Sequence, residues 1–189
     1  WHPYFEIATS QSSVLDFQVG QTHTILEPGD SIFINQNMLH GIRQLSGVKP
    51  DRFPNIVFSG TVVAPETSTI YRKYIRPILA CNSLPFVVFR HDNVLWEEVR
   101  QWIRTTYFAM QEQPDCYEMT VQRSICCILE TIFRNFDSLP KSNASRVQLN
   151  TQIRLQKMLS YIYENYAQRI TLADIAGAAH ISRSEAGRC

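Results

Sequence analysis

The sequence predicts an α+β protein in which short β-strands come first and helices, ending in a helix-turn-helix, come second. Strand-sized apolar runs separated by Gly and Pro turns fill about the first ninety residues. From Asn93 onward the apolar residues recur at helical spacing, and two helix-capping pairs follow near the C-terminal end. Strands followed by helices favour a sandwich or barrel over alternating βαβ units.

Length and composition exclude several classes of protein. The chain has 189 residues, of which 44% are hydrophobic and 19% charged, so it can bury an ordinary core. No apolar run approaches the roughly 20 residues of a membrane helix, and "WHPYFEI" does not read as a secretory signal. The five cysteines are irregularly spaced, and the neighbours Cys126 and Cys127 cannot easily pair. We therefore expect a soluble, cytoplasmic protein with no membrane partner.

The strand region begins with clear alternation. In residues 14–19, Leu15, Phe17 and Val19 share one face, and "GQ" then offers a hairpin turn into "THTIL". The turn "EPGD" leads into "SIFIN", where Ile32 and Ile34 share a face, and we expect this strand to end near His40. Strand signals return in "NIVFSG" and "FVVFR". The pattern predicts a sheet protein but does not set the strand register.

The helical region contains two long amphipathic stretches before a polar segment. The first carries Leu95, Val99, Trp102 and Ile103, and the second runs from Val121 to Phe136. The apolar stripe of the second helix has two interpretations, a homodimer contact or a cover for the strand region. The segment "DSLPKSNASR" is typical of an interdomain linker. A third helix follows, with apolar residues between Leu155 and Tyr166.

Charge is distributed unevenly along the chain. Residues 1–140 carry a net charge of −3, whereas residues 141–189 carry +4. The basic part coincides with the predicted helix-turn-helix. A positive surface suits a polyanion such as DNA, because neutralising phosphates supplies much of non-specific affinity.

The C-terminal stretch has two helix starts. Thr171 with Asp174 and Ser182 with Glu185 form Thr-x-x-Asp and Ser-x-x-Glu capping pairs around one tight turn. This spacing is typical of a helix-turn-helix, whose second helix enters the major groove. The residues expected to contact DNA are Ser182, Arg183, Ser184 and Arg188. The alternative is a helical hairpin that only packs on its neighbour.

A second group of polar and aromatic residues lies in the strand region. If "WHPYFEI" is a strand, His2, Tyr4 and Glu6 point to one face, and a barrel could bring His40 close to them. Such a pocket, with aromatic walls including Phe33, suits a small polar effector. Two imidazoles and a carboxylate are also a plausible set for a divalent metal. We expect no metal cofactor, and the metal-bound alternative would use His2, Glu6 and His40.

Signatures of catalysis are not visible in the sequence. It contains no Gly-x-Ser-x-Gly, no Gly-rich phosphate loop and no Cys-x-x-Cys. Glu97 and Glu98 are adjacent on a helix, so their carboxylates diverge. We therefore expect a protein that is not an enzyme and has no catalytic residue.

The C-terminal motif resembles the first helix-turn-helix of AraC-type transcription regulators. The family pattern has Leu-x-x-[Ile/Leu]-Ala, four residues, an apolar residue, Ser, and an Arg six residues later. Its counterparts here are Leu172, Ile175, Ala176, Ile181, Ser182 and Arg188. The upstream "LQKMLSYIYENYAQR" is similar to the helix that introduces this domain, so the resemblance covers about 35 residues.

The N-terminal part resembles the cupin sensor domain that often occurs in the same regulators. Gly29 and His40 keep their places in the second cupin motif, while Asn35, Asn37 and Gln44 replace its Pro, Gly and Asn. In the first cupin motif the match is at His2 and Glu6, and the leading His would lie just before Trp1. The resemblance implies a cupin-like β-barrel, or double-stranded β-helix, that binds a sugar or another small polar effector.

Together these features predict an organisation and a function. The cupin-like effector-binding barrel spans 1–92, the helical pair 93–137, the linker 138–150, and the first part of the helix-turn-helix domain 151–189. We expect a fragment of a longer effector-responsive transcription regulator, which binds double-stranded DNA only poorly without its remaining residues. The alternative function is a metal-dependent cupin enzyme, either a dioxygenase or an isomerase.

Overall fold

A computed structural model describes residues 1–47, 53–142 and 146–188, which form two compact units. Unit 1 spans Trp1–Ser142 and unit 2 spans Asn143–Cys189. Residues 143–145 of the predicted linker, and Cys189, lie outside the described residues. None of the described helices is both long and apolar enough to cross a membrane.

Unit 1 contains two antiparallel sheets in the part of the chain that is described. Sheet A has the strand order β6-β1-β4-β7, and sheet B has the order β3-β2-β5. The strands are β1 (Phe5–Thr9), β2 (Val14–Val19), β3 (Thr22–Leu26), β4 (Ser31–Ile34), β5 (His40–Ser46), β6 (Asn55–Phe58) and β7 (Phe86–Phe89). The fold class is therefore α+β, as predicted. The cupin-like closed barrel remains a prediction.

Strand β4 lies between β1 and β7 and is buried on both faces. Ile32 and Ile34 point toward sheet B and pack with Leu15 and Phe17 of β2. Phe33 points the other way, into a second core between sheet A and the helices. Unit 1 therefore has three layers, and sheet A is the middle one.

Several predicted strands and turns are confirmed. Residues 14–19, 22–26 and 86–89 are strands, and Gly20 has the positive φ of 60° that a two-residue hairpin turn accommodates. The expected run of one strand from Pro28 to His40 is wrong. Strand β4 ends at Ile34, and His40 begins a separate strand.

The strand region is not purely β, because a helical segment separates β6 from β7. A 3₁₀ turn covers Gly60–Val62, and a π-helical turn over Tyr71–Ile75 continues into α1 (Arg76–Leu79). Pro77, which has no N–H to donate, lies where the π-helical turn passes into α1.

Two long helices complete unit 1 and cover sheet A. Helix α2 spans Glu97–Glu112 and helix α3 spans Tyr117–Arg134. Ile125 and Ile132 of α3 are fully buried against Phe5 and Val99 in the core below sheet A. The apolar stripe of α3 therefore covers the sheet, which is one of the two interpretations that the sequence left open. Homodimerisation through another surface remains a prediction.

Unit 2 is all helical. Helix α4 spans Arg146–Asn165, α5 spans Leu172–Ala178, and α6 spans Arg183–Ala186. Met158 of α4 and Ala176 and Ala179 at the end of α5 are its buried apolar side chains among the described residues. The small alanines allow close approach of the helices, as a helix-turn-helix requires.

Candidate functional site

The first candidate site forms around Glu6, which points into the interior between the two sheets. Glu6 pairs with Ile34 of β4 and Val57 of β6, so these three side chains share one face of sheet A. Ala8, two residues on, packs on that same face in the core between the sheets. The carboxylate is therefore held near the end of a rigid inner strand, and its residue is only 9% exposed.

Two imidazoles meet at one oxygen of this carboxylate. Glu6 Oε2 lies 2.9 Å from His2 Nε2 and 3.0 Å from His40 Nε2. The amide of Asn55 donates to the other oxygen at 3.4 Å. We call His2, Glu6 and His40 the His–Glu cluster. Residues far apart in sequence thus converge because β1 and the start of β5 reach the same end of the interior.

The carboxylate is ionised in this setting. Burial raises the pKa of Glu6, but hydrogen bonds from His40, His2 and Asn55 and the charge of His40 lower it by more, to about 2. The Glu6 carboxylate therefore stays ionised at neutral pH, with both imidazoles against one of its oxygens.

The ring of His40 is oriented by a backbone carbonyl. Its Nδ1 donates to the carbonyl oxygen of Met38 at 2.8 Å, while Nε2 faces Glu6. Both contacts are hydrogen bonds together only when the ring carries both protons. His2 Nδ1 is buried and has no hydrogen-bond partner among the described residues, so this nitrogen is free to bind a ligand.

The same geometry is compatible with a metal ion. One ligand atom from each of His2, Glu6 and His40 lies within 4.8 Å of the others. Two imidazoles and one carboxylate on one side of an ion are a ligand set typical of Fe(II), with the remaining positions open. The donor set fits a divalent transition metal, with the Met38 carbonyl fixing the His40 ring.

The two predicted aromatic walls have different positions. Tyr4 is 41% exposed, and its ring centroid lies 6.1 Å from that of His2, so it lies beside the cluster. Phe33 pairs with Ile7 on the opposite face of sheet A and packs on Phe5 in the helix-side core. Its predicted place in the effector pocket is therefore wrong, because alternation along β4 turns it away from Glu6.

The structure adds residues that the sequence did not indicate. Asn55 reaches Glu6 because β6 pairs with β1, a register that no local pattern could set. Val57 and Ile42 lie on the inward faces of edge strands β6 and β5 yet are 44% and 37% exposed. The interior is thus open to solvent beside these apolar side chains.

The second candidate site is the helix-turn-helix of unit 2, whose two capping boxes are both formed. Thr171 Oγ1 accepts from the backbone N–H of Asp174 at 3.3 Å, and the Asp174 carboxylate accepts from the N–H of Thr171 at 2.9 Å. Ser182 and Glu185 repeat the arrangement at 3.2 and 3.1 Å. His180, with φ of 55°, makes the left-handed turn between the helices.

The four predicted DNA-contacting residues are all exposed, in or beside α6. Arg183 is its first residue. The Ser182 hydroxyl caps the helix, and Ser184 accepts a hydrogen bond from Arg188 at 2.9 Å. The spacing of Ser184 and Arg188 in the sequence predicts that they lie one turn apart on this helix, but α6 ends at Ala186, two residues before Arg188. The two guanidinium groups are therefore the freest groups for contacts with phosphates or bases.

Comparisons with known proteins agree with this architecture. No protein-family model matches the chain. It is 24% identical over 189 residues to the uncharacterized HTH-type transcriptional regulator YdeC of Bacillus subtilis (strain 168), covering all of this chain and 62% of that protein. The chain thus spans less than two thirds of the length of this relative.

A solved structure shares the fold. The crystal structure of the AraC-like transcriptional activator CuxR superposes with a TM-score of 0.50 at 15% identity, covering 97% of this chain and 59% of that one. The chain therefore shares its fold with an AraC-like transcriptional activator, the class of regulator that its helix-turn-helix residues resemble.

Proposed function

We propose that the chain is part of a DNA-binding transcription regulator that responds to a small effector. The observation that carries the proposal is the doubly capped helix-turn-helix in a unit of net positive charge. Both relatives are named as transcriptional regulators, which supports the same function here. The proposal does not include an enzymatic activity.

The DNA-binding role depends on the orientation of α6 and on the position of its arginines. Its N-terminal capping box fixes the direction of the helix, and Arg183 lies in its first turn. Residues at the N-terminal end of a recognition helix reach base edges or flanking phosphates. Arg154 of α4 lies 3.7 Å from Glu185, which neutralises the acidic group next to this surface. Glu185, the acidic residue of α6, is therefore paired, and Arg183 and Arg188 are available for contact with DNA.

Replacing either arginine is expected to weaken DNA binding by about tenfold, because each loses one charge-assisted contact. The test uses the full gene product that carries this chain. DNA sites are first selected from random sequence, and affinities of Arg183→Gln and Arg188→Gln are then measured by gel shift at a fixed salt concentration.

Arg169→Gln is the matched control for this experiment. Arg169 is exposed and precedes α5, outside the helix-turn-helix. We expect its affinity to stay within about twofold of the parent protein. Equal loss in all three variants would show only a general charge effect, and unchanged affinity of Arg183→Gln and Arg188→Gln would reject the proposed DNA surface.

The effector role is proposed for the interior of unit 1, which we infer to be a cupin-like barrel. The His–Glu cluster supplies a carboxylate and two imidazoles, Asn55 supplies an amide, and Tyr4 supplies an aromatic surface. Convergent acceptors and donors beside a ring suit a sugar-like polyol. Such a ligand would shift the regulator between states only by binding one of them more tightly.

A ligand panel on the chain and on Glu6→Gln tests this site. Thermal unfolding is followed with single sugars and, separately, with Fe(II), Mn(II) or Ni(II). We expect a sugar to raise the melting temperature of the parent chain, because binding adds RT ln(1 + [L]/Kd) to the free energy of unfolding. The same sugar should have little effect on the melting temperature of Glu6→Gln. Glu66→Gln, which alters an exposed residue, is the control.

The same ligand panel distinguishes the effector site from the second candidate function, a metal-dependent enzyme. Stabilisation by a metal alone, lost in Glu6→Gln and reversed by a chelator, would favour the metal-dependent enzyme and contradict the organic effector. The observation that favours this alternative is the convergence of His2, Glu6 and His40. With a metal bound, these three side chains would hold it, and the metal would supply Lewis-acid or redox chemistry.

A further inference from the structure

A second cavity lies in unit 1, away from the His–Glu cluster. It measures about 320 Å³ and opens between helix α2 and the strand ends around Thr9 and Ser31. Its walls are mostly apolar, formed by Ile103, Tyr107 and Phe108. A cleft of this size is at the lower end of the range that accommodates small organic ligands.

The described charged residues that line the cavity are all basic. Arg100 and Arg104 line it, and none of the described lining residues is acidic. The two arginines are four residues apart on α2, so they lie on one face of the helix, where like charges are unfavourable. The two positive side chains favour an anionic ligand over a cationic one.

The two arginines have different roles. The Arg100 side chain is only 8% exposed, and its guanidinium is taken up by Glu97 and by the carbonyl oxygens of Arg90 and Asn93. Arg104 is exposed and makes no ion pair or hydrogen bond within the described residues. Arg104 is therefore the cation available to a ligand, because the charge of Arg100 is already paired with Glu97.

The polar part of the cavity floor is small. Thr9 Oγ1 and Ser31 Oγ lie 2.8 Å apart, so one hydroxyl donates to the other and one hydroxyl hydrogen remains for an acceptor. The free Arg104, polar groups that include a hydroxyl and the side chain of Gln11, and apolar walls match a ligand with an anionic end and a compact apolar body.

We propose that this cavity binds a small monocarboxylate with an aromatic or short aliphatic body. The carboxylate pairs with Arg104, which matches it geometrically, and the body packs on Tyr107 and Phe108. This site is independent of the proposed sugar-like effector, because its lining residues and those of the His–Glu cluster do not overlap.

Isothermal titration of the chain with benzoate, phenylacetate and hexanoate tests the proposal, with benzamide as the uncharged match to benzoate. We expect at least one carboxylate to bind and benzamide to bind about tenfold more weakly. The Arg104→Gln variant is expected to bind the carboxylate about tenfold more weakly than the parent chain does. Since Arg104 is exposed, we expect this variant to unfold at the same denaturant concentration as the parent chain.

Arg123→Gln is the matched control, because Arg123 is an exposed arginine on α3 outside the cavity lining. We expect Arg123→Gln and Glu6→Gln to bind the carboxylate with the affinity of the parent chain. Equal binding of benzoate and benzamide, an Arg104→Gln variant with parental affinity, or no binding by any of the three carboxylates would each overturn the proposal. Loss of sugar binding in Glu6→Gln leaves this result unaffected.

Discussion

Replacing Asn35 by alanine is expected to lower the free energy of unfolding of unit 1 by about 4 kcal/mol, as several buried polar groups lose their partner. Asn35 is 2% exposed. Its amide nitrogen donates to the carbonyl oxygens of Ile78 at 2.8 Å and Leu84 at 3.1 Å, and its Oδ1 accepts from the N–H of Gln36. Alanine supplies none of these hydrogen bonds.

The effect is checked by urea unfolding followed by tryptophan fluorescence. Asn82→Ala is the matched control, since Asn82 is an exposed asparagine in the loop that Asn35 holds. We expect it to change the free energy of unfolding by no more than about 0.5 kcal/mol. Similar values for the two variants would mean that the loop after α1 is held by something other than this amide.

Asp30→Asn is expected to cost about 3 kcal/mol of unfolding free energy at neutral pH, because a buried, multiply bonded charge is lost. The Asp30 side chain is 1% exposed. It accepts from Arg90 Nη1 at 2.8 Å, from the N–H and Nδ1 of His91 at 2.7 and 2.9 Å, and from the N–H of Glu27 at 3.0 Å. Asp30, which directly precedes β4, is thereby hydrogen-bonded to Arg90 and His91, the two residues that follow β7. Arg90 and His91 are half-exposed, so water limits the loss.

The effect of Asp30→Asn should depend on pH. Burial raises the pKa of Asp30, but hydrogen bonds from the backbone of His91 and Glu27 and from the side chains of His91 and Arg90 lower it by more. A lowered pKa contributes stability above the unfolded value of about 3.9, and this contribution is lost as the pH falls through the folded value. Unfolding at several pH values should therefore show the parent and variant converging in acid.

Asp92→Asn is the control for this measurement, because Asp92 is exposed and close in sequence to the partners of Asp30. Its free energy of unfolding should stay within about 0.5 kcal/mol of the parent at neutral pH. A gap between parent and Asp30→Asn that widens in acid would contradict the assignment of Asp30 as the ionised partner.

Local patterns predicted those elements whose environment is regular. Residues 14–19 alternate because one face of β2 packs in the core, and α2 and α3 repeat at helical spacing because each buries one stripe. Strand β5 was missed because it is largely exposed, so "HGIRQLS" has no apolar alternation. Helix α1 spans only Arg76–Leu79, which is too short for apolar spacing to indicate a helix.

The candidate sites show the same division between local and non-local information. Both capping boxes depend on residues close in sequence and could be predicted. His2 contacts Glu6, but His2 and Tyr4 precede β1 and do not lie on a strand with Glu6, contrary to the alternation expected from the sequence. Asn55 depends on pairing across 49 residues, which only the folded sheet sets. Phe33 was misplaced although Ile32 and Ile34 were correctly assigned to one face, which already places Phe33 on the other.

The strand order of sheet A determines how early unit 1 can fold during synthesis. Strand β1 must pair with β4 and β6, and β4 must pair with β7, so sheet A cannot close before residue 89 has been synthesised. Such long sequence separations slow folding, whereas the helices of unit 2 contact their neighbours along the chain. During synthesis, the edge of β4 that pairs with β7 therefore stays exposed longest, and chaperone binding or aggregation should concentrate there.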